Sequence, residues 1–244
     1  MRTFLGVGRQ TPISFLYLEL GWTPPNIRQK LEMIRLWYHI VNLPYERLPR
    51  QIYNLDKTQW KRSIESMFTN ANLASVFDTD NEENLPLSQI FGKIKTSLLS
   101  AFNTSLLSCL ENTNRLELYK NFDSVLNLEE KSYISWCQDK NNRSVIAKLR
   151  SSTLSKIRIE SGRYRGIPKS QRICQRCNSG SVDNEIHMLL CCQKFSMERI
   201  NLLSKASKIE KNFQCLSGIW KLEVLLCNPK IVNVIAKYVL QCSF

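Results

Sequence analysis

The sequence predicts a mostly α-helical protein with a small metal-binding module set between a helical region and a helical tail. Three observations carry that expectation. Glycine and proline are scarce, 8 of each in 244 residues, too few for a turn-rich all-β architecture. Apolar residues recur at three- and four-residue spacing over several long segments. Four residues near the C-terminal third, Cys174, Cys177, His187 and Cys192, have the spacing of metal ligands. Apolar content of 43% supports a buried core, and 23% charged residues argue against wholesale disorder.

Taken in order, residues 1–22 are mixed apolar and small, ending in Leu20-Gly21-Trp22. Thr23 before Pro24 and Pro25 is a helix start: a hydroxyl to cap free N–H groups, then prolines whose missing donors cost nothing there. Leu31, Ile34, Tyr38 and Val41 then form the apolar stripe of a helix that ends at Pro44. A short helix is expected over 46–54. Asp56 with Gln59 has the spacing of a capping box opening a helix with Trp60, Ile64, Met67 and Phe68. Residues 78–84 read as an acidic loop. A longer helix follows with Leu87, Ile90, Phe91, Ile94, Leu98, Phe102, Leu106 and Leu110 along one stripe. This stripe is expected to be core, since sustained flanking charge pairs are missing. Further helices are expected around 115–122, 129–138, 142–150, 213–227 and 229–241, and a strand over Ser155 to Glu160.

Nine cysteines without a secretory signal suggest a reducing, intracellular location, nucleus or cytoplasm, and metal before disulfides. In the pattern C-x2-C-x9-H-x4-C, two thiolates from a tight knuckle and a later imidazole and thiolate close a tetrahedron around zinc. Three thiolates and one imidazole leave no open position, so the ion is expected to be structural. Cys191 competes for the last place, because His187 and Cys191 share a face of a regular helix. Cys192 is favoured if the segment departs from regular helix there, and the spacing alone leaves both open. Cys109, Cys137, Cys215, Cys227 and Cys242 are expected to be ordinary buried thiols. His39 is expected to pack rather than ligate.

The chain carries a formal charge of +13, and the excess is concentrated. Between Arg143 and Arg176 lie ten basic residues and one acid, Glu160. Apolar residues are interleaved with them, so this is a folded basic surface of the kind that phosphates select by counterion release. Candidate nucleic-acid contacts are Arg150, Lys156, Arg158, Arg163, Arg165, Lys169 and Arg172, with Tyr164 able to stack on a base. The partners expected are RNA or DNA. No small-molecule substrate is evident, and no stretch reaches the roughly 18 apolar residues of a membrane span.

Catalytic motifs are not found. There is no Asp-Asp pair for two-metal chemistry, no phosphate loop, no G-x-S-x-G and no H-E-x-x-H. The residues alone read as a zinc-containing nucleic-acid-binding helical protein without a catalytic centre.

Several runs resemble non-LTR (LINE-like) retrotransposon proteins. Phe4-Leu5-Gly6-Val7-Gly8-Arg9-Gln10-Thr11 with Leu18-Glu19-Leu20-Gly21-Trp22 is similar to the segment after their polymerase core. Leu116 to Phe122 resembles their LR-x-Y-x-x-F run. Leu149-Arg150, Ile159 to Tyr164, Ile167-Pro168, Arg172 to Cys174, and Glu185 to Leu190 with Cys192 resemble, in that order, the CCHC region that closes such reverse transcriptases. Gln193 stands where these proteins commonly place Pro. The resemblance implies ligands at Cys174, Cys177, His187 and Cys192, and thumb-like helices before them. It implies the C-terminal, nucleic-acid-binding portion of an RNA-directed DNA polymerase whose endonuclease and catalytic palm lie upstream. The expected organisation is a thumb-like region over 1–140, a basic CCHC region over 141–205 and a helical tail over 206–244. The alternative is a protein-interaction helical scaffold with a structural zinc site.

Overall fold

A computed structural model of the chain describes residues 1–55, 58–77, 85–122 and 131–242. Among these residues the fold is helical, and the one bridge outside the helices joins Ile173 to Val182. The α-helices are α1 (Arg2–Leu5), α2 (Ile13–Leu20), α3 (Pro25–Val41), α4 (Leu48–Leu55), α5 (Gln59–Asn70), α6 (Ala74–Phe77) and α7 (Leu87–Glu111). They continue with α8 (Ser132–Trp136), α9 (Lys140–Arg150), α10 (Arg158–Tyr164), α11 (Ser196–Ile209), α12 (Gly218–Cys227) and α13 (Val232–Gln241). No helix among the described residues is long and apolar enough to cross a membrane. Packing divides the chain into two compact units. One is Thr23–Leu106, and the other joins Met1–Trp22 to the residues from Leu107 onward.

In the Thr23–Leu106 unit, α3 begins at Pro25 with Pro24 in the capping position, so the Thr23 hydroxyl does not cap it. Of the expected stripe, Leu31 and Ile34 are buried while Tyr38 and Val41 are half-buried; Ile27 and Trp37 complete the inward face, packed with Ile64, Phe68, Ile90 and Ile94. Trp37 donates its indole N–H to the Tyr53 hydroxyl at 2.9 Å, satisfying the one polar atom of a buried ring. Thr58 occupies the capping position of α5. The expected Asp56 cap and the acidic loop 78–84 lie outside the described residues. His39 is exposed on α3 and does not pack, a correction that follows from its place opposite the Ile34–Trp37 face.

In the other unit, α1 and α2 form where the sequence shows no helical period. Leu5, Phe15, Leu16, Leu18 and Leu20 are all buried, so α2 is apolar on nearly every side. Gly6 ends α1 with φ of 63°, and a Cβ there would fall 2.6 Å from Ser144, whose hydroxyl donates to the Gly6 carbonyl. The expected strand over Ser155 to Glu160 is instead the entry to α10. α9 packs on α1, α8, α12 and α13, so no unit edge falls at 140 or 205.

Arg150 sits at the centre of this unit and corrects its expected role. It is 1% exposed, and its guanidinium grips the Glu19 carboxylate through Nε at 3.0 Å and Nη2 at 2.8 Å. Nη1 donates to the Leu226 carbonyl and to the Cys227 sulfur. The Tyr119 hydroxyl donates to the same carboxylate at 2.7 Å, and the rings of Tyr119, Phe122 and Tyr133 surround the cation. A cation enclosed in this way cannot reach a phosphate. It ties α9 to α2 and α12.

Candidate metal centre

The chain folds back on itself between Arg172 and Asp183. Asp183 N–H donates to the Arg172 carbonyl at 2.8 Å and Cys174 N–H to the Ser181 carbonyl at 2.9 Å. These bonds make a two-sided knuckle with Cys174 and Cys177 at its head. Asn184 then starts a helical turn, its Oδ1 accepting from His187 N–H at 2.8 Å. From His187 to Cys191 the turn widens to π-helix, and Cys192 N–H donates to the His187 carbonyl at 2.6 Å. Arg199 from α11 donates to the Cys192 carbonyl and fixes the exit.

The consequence is a convergent donor set. One ligand atom from each of Cys174, Cys177, His187 and Cys192 lies within 4.8 Å of all the others. Cys174 and Cys192 sulfurs are 3.9 Å apart, and the Cys177 sulfur is 3.3 Å from His187 Nε2. Zinc bonds of about 2.3 Å to sulfur and about 2.0 Å to nitrogen give tetrahedral edges of roughly 3.5–3.8 Å. The four residues therefore fit a metal ion with small adjustments. Cys191 is exposed and outside the set.

The thiols are held differently. The Ser179 hydroxyl and backbone N–H bring the Cys177 thiol down to about 6. Burial pushes Cys192 up to about 11. Of the remaining cysteines, Cys137 and Cys242 are buried as expected and Cys227 is half-buried. Cys109 and Cys215 are exposed, against expectation, because each lies on the outer face of its helical turn.

Next to the knuckle stands α10. Asp183, fully buried, accepts the Arg158 N–H on Oδ2 at 2.9 Å, and its carbonyl accepts the Ile159 N–H at 2.9 Å. Asp183 also pairs with Arg176. The knuckle thus caps the helix that carries the basic surface. Sequence reasoning passed over Asp183 as one of several scattered loop aspartates.

The basic residues divide by environment. Lys156, Tyr164, Arg165 and Lys169 are exposed, and Lys169 pairs with Glu117. Arg158 and Arg163 are half-buried, with Arg163 Nη1 3.2 Å from Glu160. Arg172 is committed to the backbone, donating to the carbonyls of Ile167 at 2.9 Å and Ile159 at 2.8 Å. It lies against Gly162, where a Cβ would come within 2.8 Å of its Cγ. Arg172 is therefore a brace for α10 rather than a phosphate contact.

A cavity of about 360 Å³ opens beside α10, lined in part by Arg115, Arg163, Lys169, Glu185, Ile186 and Ile219. Glu185 is 4% exposed, and its Oε1 has no hydrogen-bond partner among the described residues. Burial pushes its carboxyl up to about 7, against its own backbone N–H, the Ser152 hydroxyl and nearby Arg163. No signal in the sequence marks Glu185, because its neighbours Arg163 and Ser152 are distant along the chain.

No family model, no curated protein and no solved structure matches this chain.

Proposed function

We propose that the chain binds RNA or DNA through the basic surface around α10, with a structural zinc ion on Cys174, Cys177, His187 and Cys192. Three thiolates and a neutral imidazole are a soft, tetrahedral set that suits zinc and leaves no place for a reacting water. Zinc holds the knuckle, and the knuckle caps α10 through Asp183. Lys156, Arg165 and Lys169 then contact phosphates, with Arg158 and Arg163 behind them and Tyr164 stacking on a base. The reading agrees with the resemblance to the C-terminal portion of a non-LTR retrotransposon RNA-directed DNA polymerase, whose catalytic palm would be supplied by another segment.

The observation that carries this reading is the convergence of four donors beside a cationic helix. Its test is metal analysis and oligonucleotide binding on the same preparation. One zinc per chain is expected, lost in Cys177→Ser. Binding of a 20-nucleotide RNA or DNA strand is expected to weaken steeply with salt. Affinity that does not change with salt would remove the phosphate contacts. The scaffold alternative draws support from α4, where Leu48, Ile52 and Leu55 are exposed along one face. Charge reversal at Lys156, Arg165 and Lys169 separates the two, because a scaffold keeps its partner when those cations are reversed.

A further inference from the structure

The cavity beside α10 contains features that phosphate binding alone does not require. Its walls include Ile186 and Ile219, and they include Glu185, a buried residue whose Oε1 has no hydrogen-bond partner among the described residues. A volume of about 360 Å³ falls in the range of small-ligand pockets. A buried carboxylate oxygen without a donor is costly, so the cavity is built to receive one. Cations stand on the same lining: Arg115, Arg163 and Lys169. Arg163 Nη1 is buried without a hydrogen bond among the described residues, held 3.2 Å from Glu160, and Lys169 pairs with the exposed Glu117. The occupant must therefore offer N–H donors to Glu185, an apolar face to Ile186 and Ile219, and an anion to the cations of the same lining.

We infer that this cavity takes one unpaired guanine nucleotide of a single strand, with Glu185 accepting from the base and Arg163 and Lys169 contacting its phosphate, while Arg115 is held by the Gln10 carbonyl at 2.8 Å. The choice of base follows from the edge each base presents. Guanine alone places two donors side by side, N1–H and N2–H, before the unpartnered Oε1, with no acceptor between them to repel it. Adenine N6–H and cytosine N4–H each stand beside a ring nitrogen acceptor, and uracil N3–H stands between two carbonyls. Those acceptors face a carboxylate with repulsion. Ile186 and Ile219 pack against the purine, as apolar side chains do in pockets that receive an extruded base.

This inference rests on the proposed nucleic-acid binding and adds base selection to it. The test uses the zinc-loaded full chain and fluorescence anisotropy with 12-nucleotide oligouridine carrying one central substitution. Guanine, inosine, adenine and uracil are compared at that position, in RNA and again in DNA. The guanine strand is expected to bind about tenfold tighter than the uracil strand, a discrimination in the range of one good base contact. Inosine, which lacks the N2 amine, is expected to fall between them. Glu185→Gln, checked for zinc content and helicity, is expected to lose the guanine preference while binding oligouridine within about twofold of wild type. Salt-sensitive binding of all strands with equal affinity would overturn the guanine pocket and leave the phosphate-binding reading standing. Failure of every strand to bind would overturn both.

Discussion

Cys192 N–H donates to the His187 carbonyl across five residues, and that single wide turn decides which cysteine joins the convergent donor set. In a regular α-helix the residue four places after His187 is its neighbour on the same face, which is Cys191. The added residue in the π-turn leaves Cys191 exposed and brings the buried Cys192 within 4.8 Å of the other three donors. Cys192→Ser is therefore expected to lose stoichiometric zinc, while Cys191→Ser keeps one ion per chain. Elemental analysis of the two variants side by side checks this, and equal loss from both would place Cys191 in the ligand set.

Metal removal is expected to reach α10 through Asp183. The knuckle presents Asp183 to the first N–H groups of α10 and to Arg176 at once. When a chelator strips the ion, the hairpin loses its anchor and α10 loses its cap, so helical circular dichroism falls and zinc restores it. Asp183→Ala in the zinc-loaded protein is expected to cost about 3 kcal/mol, because it removes a cap and leaves Arg176 without its buried partner. Asp183→Asn keeps an oxygen for the cap and is expected to cost less. Urea titration of both variants measures the difference.

The candidate metal ligands were legible because their spacing is local: a knuckle and one helical turn lie within nineteen residues of sequence. The long helix α3 and the part of α7 up to Phe102 were legible because their stripes face a single core. α2 was not, since a helix buried on nearly every side shows no period. α11 was hidden for the opposite reason, with Met197 and Ile200 exposed and Arg199 buried, so its pattern runs against its packing. Arg150 looked like any member of the basic run, because its partner Glu19 is 131 residues away. Burial of that kind is set by tertiary packing, and neither charge counting nor periodicity reports it.

That pairing gives a prediction about stability that is separate from binding. Arg150→Met leaves the Glu19 carboxylate buried beside the Tyr119 hydroxyl without its cation, and Glu19→Gln leaves the guanidinium without its anion. Each single change is expected to cost about 3–5 kcal/mol. The double variant is expected to cost less than the sum of the two, since no charge is then left alone. A double-mutant cycle by chemical denaturation reads the coupling. Strictly additive costs would show that the two side chains do not interact.

The division of the basic residues by environment gives the last prediction. Lys156, Arg165 and Lys169 are exposed, whereas Arg172 is spent on the carbonyls of Ile159 and Ile167. Each exposed cation that meets a phosphate releases condensed counterions on binding. Its replacement by Ala is expected to lower the log–log slope of affinity against salt by about 1, or by about 0.7 on a single strand. Arg172→Ala is expected instead to lower the melting temperature, because α10 loses its brace, and to leave the slope of the folded protein within error of wild type. Titrations at four or more salt concentrations, paired with thermal melts, distinguish these two kinds of cation. A slope change in Arg172→Ala without loss of stability would mean that its guanidinium leaves the backbone when nucleic acid arrives.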